Sequence, residues 1–174
     1  MGRLRDGWGR YRDRRMGTKY PDSGVASLSA QEVRAALLAL NGTGVPFRVR
    51  HAVSGEKAHL VAEWKIVAPG IGEFTSGGLV ERSMKARMRL SAANREVHVL
   101  DEVREVRMVG DPPRPARLTR QWNRGPYVAR QWEYEKGPDG RRRKVVLFDS
   151  RDMRDPLRNT VLEAGWTWRG VLKL

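Results

Sequence analysis

No cysteine occurs in the 174 residues. Disulfides and thiolate metal sites are therefore impossible, and a reducing cytoplasmic setting is the expectation. Long apolar runs are missing as well. The longest, Ala35 to Leu40, is far too short to span a bilayer, so membrane insertion is not expected. The arginine-rich start has no apolar segment behind it, so no secretory signal is expected.

The usual marks of catalysis are also missing. His51, His59 and His98 are the only histidines, and no two have the i, i+4 spacing of a helical zinc site. The glycines of "GEFTSGG", from Gly72, are spaced like the start of a phosphate loop but lack the Lys-Ser/Thr that would follow. Asp101, Glu102, Glu105, Asp149, Asp152 and Asp155 form no evident general acid/base pair, and no serine sits in a nucleophile elbow. No cofactor, no metal and no catalytic residue is expected, and the chain reads as a binding module rather than an enzyme.

What the chain has is positive charge, +14 in all, and it is clustered. Residues 1–20 hold seven Lys/Arg against two Asp, and residues 114–144 hold ten against three acids. The two remaining stretches, 21–113 and 145–174, are nearly neutral. A gathered positive field favours anionic partners.

Residues 1–25 show no helical or strand periodicity and read as a flexible basic arm. It offers Arg3, Arg5, Arg10, Arg12, Arg14, Arg15 and Lys19 to a polyanion, with Trp8 and Tyr11 interleaved for stacking. The same composition fits a leader packed onto the body.

Residues 26–174 read as a single α+β domain. "SAQEVRAALLALNG" is a helix, with Ser29 and Glu32 as a capping box, Val33, Ala36, Leu37 and Leu40 on one face, and Asn41-Gly42 as a left-handed stop. Strands follow with period two. Phe47, Val49 and Val53 form one face; Leu60, Ala62, Trp64 and Ile66 another; Met84, Ala86, Met88 and Leu90 a third. In "EVHVLDEVREVRMV", Val97 and Val99 are out of phase with Val106 and Met108, which predicts a bulge or bend near Leu100–Val103. The loop 68–78 is expected to tuck Phe74 inward or to rim a pocket.

"RQWNRGPYVARQW" repeats Arg-Gln-Trp ten residues apart. Trp132 is expected to face the core. The direction of Trp122 depends on whether the intervening loop has three or four residues, so both a core and a stacking role stay open. "KGPDGRRRK" is a hairpin tip, and "KVVLF" behind it reads as a central strand covered on both faces. Arg141, Arg142, Arg143 and Lys144 at this tip, with Arg120 and Arg124, form the second anion-binding cluster; a solvated hairpin end that resists aggregation explains them equally. "DPLRNTVLEAG" is a second helix, with Asp155 as cap, Pro156 at the first helical position and Gly165 as stop. "WTWRGVLKL" is the last strand, with Trp166 and Trp168 on one side.

The predicted architecture is a curved, mostly antiparallel meander of about eight strands with one helix near each end, curling around a helix or closing into a barrel-like shape. "AEWKI", "MKARMRL", "EVHVLDEVREV" and "FDSRDMRDPLRNTVLEAGWTWRGVL" are similar to segments of small uncharacterised bacterial proteins, above all through the DPL…GWTWRG tail. That resemblance implies one intact domain and no function.

The leading expectation is a non-enzymatic module for an anionic partner, with sequence-nonspecific nucleic acid favoured because arginines dominate. A structural subunit of a larger assembly, meeting an acidic protein surface or a second copy of the chain, is the alternative. An anionic-membrane or lipid-binding domain is the third, although no basic amphipathic helix supports it.

Overall fold

The computed structural model describes residues 16–69, 79–123, 130–136 and 141–174. The fold is α+β. Helix α1 spans Ala30–Ala39 and continues as a 3-10 turn over Leu40–Gly42. Eight strands follow: β1 Arg48–His51, β2 Leu60–Pro69, β3 Leu79–Ser91, β4 Glu96–Val109, β5 Arg114–Asn123, β6 Arg130–Lys136, β7 Arg142–Asp149 and β8 Thr167–Gly170. Helix α2, Arg151–Glu163, lies between β7 and β8.

Strands β1 to β5 form the expected antiparallel meander. The sheet stays open instead of closing into a barrel. Two departures account for this. β6 and β7 leave the meander as a separate two-stranded sheet. β8 returns to pair with β4, and it runs parallel, Val97 opposite Trp168. β8 and β5 thus follow one another along the same edge of β4, β8 beside residues 96–99 and β5 beside residues 101–109. "KVVLF" is accordingly one strand of a hairpin and not a central strand. Phe148, at its end, lies in the core and meets Trp64 with ring centroids 4.5 Å apart.

One face of the sheet carries the core. Leu60, Ala62 and Trp64, then Met84, Ala86, Met88 and Leu90, then Val97, Val99 and Val103 cluster with Val33 and Leu37 of α1 and with Met153, Leu157 and Val161 of α2. Both helices therefore cover the same side. Trp166 and Trp168 close this core together, and the Trp166 indole N–H donates to the Leu28 carbonyl at 2.8 Å. Val53 lies beyond the end of β1 and is exposed, so it does not extend the Phe47–Val49 face.

The phase change in β4 is real, but no bulge causes it. The β3–β4 register is continuous from Leu79 to Ser91. Val106 simply sits on the opposite face from Val97 and Val99, opposite Leu118. The register shift falls instead at Arg107/Met108, against β5.

The helix ends show what local chemistry decides. The Ser29–Glu32 capping box forms as expected. Asn41-Gly42 is not the left-handed stop. The Asn41 amide is drawn to β1, where it both donates to and accepts from the Val49 backbone at 2.8 Å, and the chain stays right-handed until Gly44. α2 starts four residues before Asp155. The Asp149 carboxylate accepts from the Arg151 backbone N–H at 3.0 Å and supplies the cap, which leaves Pro156 inside the helix and Asp155 to pair with Arg158. Gly165 does end α2 as expected, at φ +71°, with its N–H donating to Leu162 and that of Trp166 to Val161.

The described end of the basic arm is tied to the body. Lys19 exchanges two backbone hydrogen bonds with Trp168, at 2.8 and 2.9 Å. Among the described residues no helix is long and apolar enough to cross a membrane.

Candidate anion-binding groove

The face of the sheet away from the helices is a charged lattice. Alternation along β2, β3 and β4 sends every second residue there, and the pairing registers align these residues in rows across the strands. One row reads Glu63, Lys85, Glu102, with position 122 opposite Glu102. The next reads Lys65, Ser83, Arg104, Arg120 and contains no acid.

Where these rows meet the β1–β2 connection, a groove of about 260 Å³ opens. Its floor and sides are Ser83, Lys85, Arg87, Glu102, Arg104 and Arg120, and Gly55 and Glu56 form one wall. Four cations thus surround two carboxylates, and both carboxylates are already engaged. Glu102 is buried; it accepts from Arg87 at 2.6 Å through one oxygen and pairs with Arg120 Nε at 2.6 Å through the other. Glu56 takes two hydrogen bonds from the Arg50 guanidinium, both 2.8 Å, and a third from the Val53 backbone. The Arg50 bonds, chief among these effects, hold the Glu56 carboxyl down at about 2. The same guanidinium reaches Glu63, which Lys85 also contacts at 2.8 Å, and Arg50 is pushed well above its usual range by its Glu56 bonds first and its Glu63 bond second.

Arg104 stands apart. It is exposed in the groove, and among the described residues no carboxylate pairs with it. Two features hold its surroundings in place. The buried Glu102 fixes Arg87 and Arg120 on either side, and the Arg50–Glu56 fork fixes the wall. Such a setting is preorganised for a planar, bidentate acceptor of negative charge.

Of the residues that the sequence pointed to, the structure brings Arg120 into this groove. It places Trp122 by register opposite Glu102, next to it along β5. Arg142, Arg143 and Lys144 are strand residues of β7, opposite Lys136, Glu135 and Tyr134 in the backbone register. Arg141, just before β7, is exposed, as is Lys19. Arg3, Arg5, Trp8, Arg10, Tyr11, Arg12, Arg14, Arg15 and Arg124 lie outside the described residues, as does Phe74.

Lys85, Arg87 and Arg104 were not singled out from sequence. Their signal was present in "MKARMRL", whose polar face is wholly basic, and in Arg104. The region's near-zero net charge hid it, because acids from β2 and β4 offset these cations in the sum but not in space.

The histidines lie elsewhere. His59 accepts from the Leu90 backbone N–H at 3.1 Å, and burial, ahead of the nearby Arg34 and Arg89 charges, lowers its pKa. His98 pairs with Glu96 at 2.9 Å. Among the described residues no group of three or more His, Asp or Glu could hold a metal ion. In comparisons with known proteins, no family model, no curated protein and no solved structure matches the chain.

Proposed function

We propose that the protein is a non-enzymatic binding module for an anionic polymer, and that nucleic acid, bound without sequence specificity, is its partner. The observation that carries this reading is the acid-free row ending in Arg104 and Arg120, set in a groove on the face of the sheet away from the helices. Fixed guanidinium groups on a sheet face can track a phosphate backbone, while base identity goes unread because phosphate contacts carry no sequence information. The basic arm would add charge-driven contacts, and a cytoplasmic setting suits both parts.

Titration of the full chain with fluorescent single-stranded and duplex DNA tests this. Four phosphates neutralised on a single strand give a slope of about −2.8 in log K against log salt, so affinity should fall by about fifty-fold between 50 and 200 mM salt. Absence of binding at 50 mM salt, or binding indifferent to salt, would refute it.

One observation favours a second reading, a subunit of a larger assembly. β5 is exposed from Arg114 to Leu118, and Leu118 lies open at 59%. An unshielded strand of this kind is a ready surface for strand pairing. Light scattering coupled to size exclusion would show a stable oligomer under this reading and a monomer under the first.

A further inference from the structure

The acid-free row crosses the sheet from β2 to β5. Lys65, Ser83, Arg104 and Arg120 lie side by side over three inter-strand steps, about 14 Å. Both ends of the row are open. Lys65 is exposed and lies past the last β1 pair, Arg48 opposite Glu63, and Arg120 is exposed on the last strand of the meander. A polyanion can therefore run across the strands and continue beyond either end. Two residues further along the strands, about 6.8 Å away, a second row runs parallel to the first. It reads Val67, Glu81, Val106, Leu118. Val67 and Leu118 are exposed at 54% and 59%, while Val106, beside Leu118, is buried. Glu81, the one acid of this row, pairs with Lys65 at 2.9 Å. Leu79 and Met108, opposite each other in the row beyond, extend the apolar surface. One face of the sheet thus sets a basic row beside an apolar one.

From this we infer that the ligand is a single strand of nucleic acid, laid across the sheet with its phosphates along Lys65, Arg104 and Arg120 and its bases turned onto Val67, Val106 and Leu118. The inference rests on the nucleic-acid reading above and deepens it. A duplex keeps its base faces stacked inside and would set only phosphates and sugars against the apolar row. A single strand can unstack and turn its bases aside, so it meets both rows at once. Aliphatic side chains read no hydrogen-bonding edge, so any base fits and sequence goes unrecognised. An anionic lipid surface also joins charge to apolar matter. Its hold scales with buried apolar area, however, and two well-exposed aliphatic side chains supply little.

The test titrates the full chain at low salt with three probes: oligo-dT, an abasic strand of equal length, and a duplex of that length. The abasic strand keeps the phosphates and removes the bases. Oligo-dT is expected to bind about tenfold more tightly than the abasic strand, the yield of covering about 55 Å² of apolar surface. The duplex should bind no more tightly than oligo-dT, despite its higher charge density. The double variant Val67→Gln/Leu118→Gln should bring the ratio of oligo-dT to abasic affinity to within about twofold of unity, because both side chains lose their apolar ends. Val67→Ile/Leu118→Met keeps the row apolar and should retain the ratio. Circular dichroism on both variants guards against misfolding. Equal binding of oligo-dT and the abasic strand, or tighter binding of the duplex, would overturn the inference and leave the polyanion reading standing. A ratio that survives Val67→Gln/Leu118→Gln would place the bases elsewhere and overturn it as well. If no oligonucleotide is bound, both the inference and the reading beneath it fail, and binding to phosphatidylserine vesicles in that case would assign the paired rows to a lipid surface.

Discussion

Asp101 and Arg154 form an ion pair inside the protein, between the core face of β4 and α2, and their removal should show what such a pair contributes. Asp101 is 5% exposed, and the Arg154 side chain 12%. Asp101 is flanked on its strand by Val99 and Val103 and paired on the β3 side with Ala86, all three in the apolar core. One oxygen meets Arg154, and the other accepts no hydrogen bond among the described residues. Burial lowers the Arg154 pKa, the sign expected for a guanidinium taken out of water.

Arg154→Met should cost about 3–5 kcal/mol, because a carboxylate is left in the core without its partner. For a chain of this size that lowers Tm by roughly 6–20 °C. Asp101→Val should cost less, about 1–3 kcal/mol, because the long arginine stem can carry its head toward solvent while a strand aspartate cannot. The double variant should lie within about 1 kcal/mol of wild type, since replacing both partners by apolar groups removes the desolvation penalty with the attraction. Urea unfolding at pH 7, with the slope m checked for constancy, measures all three. In Arg154→Met the orphaned carboxyl has a raised folded-state pKa, so its penalty is full at neutral pH. The deficit relative to wild type should therefore shrink as pH falls toward 5. If the double variant loses the sum of the single losses, the pair is not coupled and the reasoning fails.

Two further outcomes follow from the same kind of geometry. A Cβ on Gly165 would lie 2.8 Å from the Ala26 carbonyl oxygen and from the Ser27 Cα, at φ +71°, so Gly165→Ala should cost about 2–5 kcal/mol from left-handed strain plus backbone overlap, read by thermal unfolding; a loss under 1 kcal/mol would mean that the Ala26–Ser27 segment does not pack there. Glu56 titrates near 2 when folded against about 4.3 when unfolded, so its contribution is fully present above the unfolded value and is lost as pH falls through the folded one; the wild type should lose stability between about pH 5 and 2, and Glu56→Gln should flatten part of that slope in acid titrations followed by circular dichroism.

The elements were legible in the sequence wherever the signal was local. The capping box at Ser29, the period of two in Leu60–Ile66 and Met84–Leu90, and the glycine stop at Gly165 each depend on neighbours within a few positions. What escaped was set by partners far along the chain. Asn41 looked like a helix stop and is instead consumed by Val49 of β1. Asp155 looked like a cap because Pro156 follows it, but Asp149 caps earlier. The parallel return of β8 to β4 has no local mark at all, because a four-residue strand says nothing about which edge it will find.

The groove was hidden for the same reason, and this bears on how charge should be read in such a chain. Summed along the sequence, residues 21–113 are nearly neutral and drew no notice as a binding region. Folded, three acids of that stretch are engaged locally: Glu56 and Glu63 by Arg50, and Glu102 by Arg87 and Arg120. A carboxylate held between two guanidiniums does more than offset charge. Under the proposed function it would pin both side chains, lower the entropy lost when an anion arrives, and leave the next cation, Arg104, to face that anion. Near-neutral stretches of a strongly basic chain can thus hold the ordered part of an anion site, while the uncompensated runs at either side supply attraction from a distance. On that division of labour, Arg104→Gln should weaken binding of single-stranded DNA, and shortening the arm should change mainly the rate of association and its dependence on salt.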